Sequence, residues 1–337
     1  MSIPNSLNST RTPDFNGDSR TDLFSYNPST GETSLTLLSG VRTTRSSSLT
    51  TVSPSDEWET PEYGDFNNDG RTDLFWRTSS LGTNAIWLIE GNDVTESFIP
   101  SLDGAWDRVL GDFDGDSKTD IFWYKPTNGE YRVWLMDGVT RTEEISGSIE
   151  AGWEPFLADF NDDDVTDLFW RNSSTGENAV WIFQDGTPAV QEFALSLETT
   201  WTPEIVDFNG DGRTDVFWRD RVTGQNQVWV WSADDIRGAT RIDLPGTSSD
   251  TVFEAADFNG DRRTDFLVRN PSTGANQVWE SDGSDVEILN IANQSAELLP
   301  QIGDFNGDRF SDIRWTRAGA TDSFWFSDGI APRAMMS

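Results

Sequence analysis

The nine residues Asp207-Phe208-Asn209-Gly210-Asp211-Gly212-Arg213-Thr214-Asp215 set oxygen-bearing side chains at positions 1, 3, 5 and 9, with a glycine at position 4. The same string recurs along the chain with small changes. Its first aspartate falls at Asp14, Asp65, Asp112, Asp159, Asp207, Asp257 and Asp304, in steps of 51, 47, 47, 48, 50 and 47 residues. Seven copies at one period, covering nearly all 337 residues, make this a repeat protein.

Outward from each loop the pattern is that of strands. Thr72 to Arg77 returns as Thr166 to Arg171 and Thr214 to Arg219, dominated by β-branched and aromatic residues. A Ser-Thr-Gly-Glu-Asn turn follows, as at Ser174 to Asn178, and then a second aromatic strand, Ala179 to Phe183. An Asp185-Gly186 turn leads to a polar strand at roughly Ala189 to Ser196, and Trp153 to Asp159 is the strand entering its own loop. Four strands in about 47 residues match a propeller blade. The expected fold is all-β, one seven-bladed β-propeller domain over residues 1–337 with four-stranded antiparallel blades. A solenoid would need polar end caps and helical repeats a 3.6-residue period, and neither is present. Eleven tryptophans sit on the second strands (Trp76, Trp123, Trp170, Trp218, Trp315) and third strands (Trp87, Trp134, Trp181, Trp229, Trp279, Trp325). They stand in runs that are apolar on both faces, as blades packed between neighbours require. Gly329 to Ser337 aligns with a fourth strand, and the residues before Asp14 with the first strand of blade one.

Acidic residues outnumber basic ones by 58 to 24, a formal charge of −34. Nucleic acid is therefore a poor partner, and no apolar run is long enough for membrane insertion. Without cysteine or histidine the chain has no disulfides, no thiolate zinc site and no histidine-based triad. The N-terminus has no basic segment followed by an apolar stretch.

The loop spacing points to a cation. Calcium takes six to eight hard oxygens at about 2.3–2.6 Å. The expected ligands are side chains at positions 1, 3, 5 and 9 and the main-chain carbonyl at position 7. In loop order these are Asp14, Asn16, Asp18, Arg20 and Asp22; Asp65, Asn67, Asp69, Arg71 and Asp73; Asp112, Asp114, Asp116, Lys118 and Asp120. They continue as Asp159, Asn161, Asp163, Val165 and Asp167; Asp207, Asn209, Asp211, Arg213 and Asp215. Asp257, Asn259, Asp261, Arg263 and Asp265, then Asp304, Asn306, Asp308, Phe310 and Asp312, complete the set. Side-chain variety at position 7 suits a main-chain ligand. Position 4 is Gly, Asn68 or Asp162, the types that tolerate a left-handed backbone. Three carboxylates in nine residues, seven times over, call for a cation, and about seven Ca²⁺ are expected. This is no EF-hand, because position 12 never carries the closing glutamate.

On these loops the chain resembles the FG-GAP or VCBS repeats of integrin α-subunit propellers and bacterial secreted proteins. It is also similar in architecture to seven-bladed fungal lectins of the Psathyrella type. The resemblance implies a monomeric, non-enzymatic binding module, extracellular or at the cell surface, with glycans or glycoproteins as partners. An integrin-like protein-binding scaffold is the alternative, and a polysaccharide-active enzyme ranks third because no carboxylate pair departs from the repeat pattern. On the face away from the loops, aromatic, guanidinium and amide groups recur as Trp58, Arg77 and Asn84; Trp153, Arg171 and Asn178; Trp201, Arg219 and Asn226; and Arg269 with Asn276. Such a set could stack on and hydrogen-bond a sugar. The alternative, which ranks ahead of it, is that these residues tie adjacent blades together.

Overall fold

In the computed structural model, residues 12–40, 42–91, 93–232, 235–317, 321–327 and 334–336 are described. They form seven separate antiparallel sheets, each made of strands consecutive in sequence. Blade four shows the unit: Trp153–Ala158, Asp167–Asn172, Asn178–Gln184 and Thr187–Ala194, paired in that order. Six sheets have four strands. The first has three among the described residues (Leu23–Tyr26, Thr33–Ser39 and Arg42–Ser48), because the strand expected before Asp14 lies outside them. One 3-10 turn, Pro54–Asp56, is the sole helical element among the described residues, and no helix is long and apolar enough to cross a membrane.

Burial follows radial position. First strands of blades two to five lie against their neighbours, and those of blades five to seven line the axis. Second strands such as Asp73–Arg77 are buried along their whole length, since a blade covers each face. Fourth strands such as Asp93–Ile99 are mostly exposed. All eleven strand tryptophans are buried, and those on consecutive strands meet in pairs such as Trp170 and Trp181, 4.9 Å apart.

The ring closes through hydrogen bonds that repeat at every joint. The carbonyl of each first loop aspartate accepts the backbone N–H of position 8 in the next blade, at 2.6–2.9 Å. Thr21 N–H on Asp304 closes the circuit from blade one to blade seven, and Gly40 N–H on the Phe305 carbonyl adds a second tie there. Ala334–Met336 pairs with Ser323–Phe326, so the chain's own C-terminal segment completes blade seven.

Candidate functional site

Each loop is built from side chains bonded to nearby backbone. The first aspartate accepts the N–H of position 6 in all seven loops, at 2.7–3.2 Å. The fifth-position aspartate accepts the N–H of position 7 in all seven, at 2.9–3.0 Å. Position 4 is left-handed throughout, including Asn68 (φ 55°) and Asp162 (φ 59°). So is position 6, which sequence reasoning missed because it holds residues such as Ser19, Arg262 and Arg309 (φ 73°) that rarely adopt that conformation.

The ninth-position aspartate is fully buried in every loop. One carboxylate oxygen accepts the N–H of position 2, and the other accepts an N–H of the third strand. In blade five these are Phe208 N–H and Trp231 N–H, both at 3.0 Å. The residue thus pins loop to blade, a role beyond the closing ligand anticipated for it. Burial pushes Asp22 up to about 6, Asp73, Asp167, Asp265 and Asp312 to about 7, and Asp120 and Asp215 to about 8. The backbone bonds oppose that shift, and the carboxylates at positions 1, 3 or 5 add to it by repulsion.

These loops fit a hard cation. Side-chain oxygens of Asp112, Asp114 and Asp116 lie within 4.8 Å of one another. Ligands on opposite sides of a calcium ion stand about 4.6–5.2 Å apart, twice the metal–oxygen distance. In six loops the position 3 side chain accepts the N–H of position 5, at 2.8–3.1 Å. In the fourth, Asn161 Oδ1 is buried without a partner, a cost that a cation would offset.

The opposite face corrects the sequence reading. Arg77, Arg171, Arg219 and Arg269 are each no more than 5% exposed, so none is free to meet a ligand. Arg171 Nη1 donates to Gly176 O and Asn178 Oδ1, and Nη2 donates to Leu197 O, Glu198 O and Trp201 O on the connection to blade five. Its guanidinium lies 5.0 Å from the Trp218 ring centroid of that blade. Arg77 repeats the arrangement on Trp123, Arg219 on Phe253 and Arg269 on Trp315. Asn84, Asn226 and Asn276 donate to Pro100 O, Pro245 O and Ala292 O, and Asn178 is equally buried. Trp153 and Trp201 are buried and Trp58 is half-buried. The set holds blades together, because each guanidinium donates to carbonyls of the segment that leads into the next blade and lies against a ring of that blade.

The open sites lie beside this mortar. Between blades five and six a crevice of about 430 Å³ is lined by Thr247, Ser248, Asn270, Gln277, Asn290 and Asn293, over a floor of Val268, Trp279 and Ile288. Gln277 donates to Asn290 Oδ1 and accepts from Trp279 Nε1, both at 3.0 Å, which orients its amide. The signal in the sequence was a departure from the repeat: Gln277 and Asn290 occupy the register of Ala179 and Phe193 in blade four. A larger cavity of about 730 Å³ lies where the first strands of blades five to seven line the axis. There burial, with Glu254 nearby, pushes Glu204 up to about 8.

A family model of the FG-GAP-like repeat matches residues 14–76, 65–123, 159–218 and 207–268. The chain belongs to the FG-GAP-like repeat family. No curated protein matches it. Among solved structures, this FG-GAP-like propeller is similar to a lectin of Agrocybe aegerita that recognises non-reducing terminal N-acetylglucosamine. The two share 14% identity and a TM-score of 0.69, over 84% of this chain and 79% of the lectin. A protein from Lactobacillus plantarum is 13% identical with a TM-score of 0.58, over 91% and 90% of the two chains. The Photorhabdus luminescens Tc holotoxin pore is 14% identical with a TM-score of 0.51, over 94% of this chain and 17% of that one. At these identities the FG-GAP-like chain shares their fold, and a fold alone does not name a function.

Proposed function

We propose that this FG-GAP-like propeller is a non-enzymatic carbohydrate-binding module, secreted or displayed at a cell surface, whose loops bind calcium for stability. The observation that carries the reading is the crevice between blades five and six. Its rim of hydroxyls and amides can exchange directed hydrogen bonds with sugar hydroxyls, and its apolar floor can meet the C–H face of a pyranose. No charged side chain among the described residues lines it, which suits a neutral ligand. The fold likeness to a lectin agrees with this class of ligand. Calcium, when bound, supplies positive charge that offsets the clustered loop carboxylates. Asp, Asn and the position 7 carbonyl would hold it, and the ninth-position aspartate ties that stability to the third strand.

The test is a glycan array with N-acetylglucosamine-terminated and other neutral glycans, run on calcium-loaded wild type and on Gln277→Ala and Asn290→Ala. Binding that both substitutions weaken, with melting unchanged, supports the reading. A wild type that retains no glycan, or binding indifferent to both substitutions, rejects this site.

A further inference from the structure

We infer that the surface patch of Trp58, Glu96 and Phe98 on blade two docks an arginine or lysine side chain of a partner polypeptide. Blade three already holds an intramolecular version of that contact. There the Trp106 ring is covered by two cations of the chain itself, Lys125 Nζ at 4.6 Å and the Arg132 guanidinium at 4.9 Å from its centroid. Glu144 on the outer strand holds Arg132 through a 3.1 Å bond.

Strand register identifies the counterparts in blade two. Arg132 stands between Trp123 and Ser146, as Ala85 stands between Trp76 and Phe98. Glu144 is opposite Trp134, as Glu96 is opposite Trp87. Trp58, bridged to Thr78, takes the place of Trp106. Blade two therefore keeps the indole and the carboxylate and lacks both cations. Where blade three has Ser146 it presents Phe98, 66% exposed, with its ring 6.4 Å from Trp58 and tilted by 42°. Glu96 is exposed and forms no ion pair with any described residue.

An arginine or lysine answers both halves of this vacancy. Its aliphatic stem covers Phe98 and Trp58, and its charge meets the ring faces and Glu96. A net charge of −34 draws in a basic partner and turns away an acidic one. Blade four keeps only the aromatic half: Trp153 and Phe193 lie 6.2 Å apart, but Gln191 stands in the register of Glu96. It ranks below blade two. The inference is independent of the carbohydrate reading, which concerns the crevice between blades five and six.

The test is the affinity of a fluorescein-labelled hexa-arginine peptide for the calcium-loaded protein at about 0.15 M salt, with hexa-glutamine as the neutral probe. Phe98→Ser leaves the charge unchanged at an exposed position, and Glu96→Gln removes one charge. Asp93→Asn removes one charge from an exposed site on the same strand. Phe98→Ser and Glu96→Gln should each weaken hexa-arginine binding about three- to fivefold, with Asp93→Asn close to wild type. Equal losses in Glu96→Gln and Asp93→Asn with none in Phe98→Ser would reveal diffuse attraction and overturn the inference. So would equal binding of hexa-glutamine, or a neutral oligosaccharide whose binding Phe98→Ser abolishes.

Discussion

On the loop face the ninth-position aspartate makes the same pair of backbone bonds in all seven blades. On the opposite face, no two neighbouring crevices carry the same side chains. The row across the second, third and fourth strands reads Trp76, Ala85, Phe98 in blade two and Trp123, Arg132, Ser146 in blade three. It reads Trp218, Gln227, Asp243 in blade five and Val268, Gln277, Asn290 in blade six. Loop residues bond to backbone at fixed offsets within their own repeat, so a substitution leaves a donor or acceptor unmet. Crevice residues lie where packing ends and water or a ligand completes the contacts, so the same backbone accepts many side chains.

Removing calcium should produce the largest effect and break the uniform face first. At free calcium 100-fold above Kd each site contributes about 2.7 kcal/mol. EDTA should therefore lower the melting temperature by about 10 °C or more, read by calorimetry. An unchanged melting temperature would show that the loops are self-sufficient turns.

Arg171→Ala should cost about 3 kcal/mol, since it removes the hydrogen bonds and the ring contact by which blade four holds the connection to blade five. Denaturant unfolding would measure that loss, while glycan binding at the crevice between blades five and six should persist. Loss of binding with full stability would restore Arg171 as a ligand contact.

The third effect depends on pH. The ninth-position carboxyls are held above their ordinary value by burial, so the folded chain keeps protons that the unfolded chain has released. Their contribution is complete below about pH 4 and is lost as pH rises through about 6 to about 8. Calcium-free protein should melt at a lower temperature at about pH 8 than at about pH 5, and the increment due to calcium should grow over that range. A flat increment would separate these aspartates from the ion.

The smallest effect sharpens the diverse face. Gln277→Ala should weaken glycan binding about five- to tenfold through one or two lost hydrogen bonds, without moving the melting temperature. A lowered melting temperature would make Gln277 one more blade tie.

Much of the molecule could be read residue by residue. The seven Asp-rich loops, the strands after them and the tryptophans between blades depend on local spacing and strand alternation, both written in the order of residues. Left-handed backbone at position 4 was legible in Gly17 or Asn68, and at position 6 it was hidden behind Ser19 and Arg309. The tertiary structure decided which polar residues are free. Trp153, Arg171 and Asn178 look like a ligand set in sequence. The partners of Arg171 include carbonyls 26 to 30 residues away, and a carbonyl is the same group in every residue. No sequence pattern marks such an acceptor, so only the packing of one blade against the next shows that both terminal nitrogens of the arginine are already engaged and that Gln277 and Phe98 are the residues left facing outward.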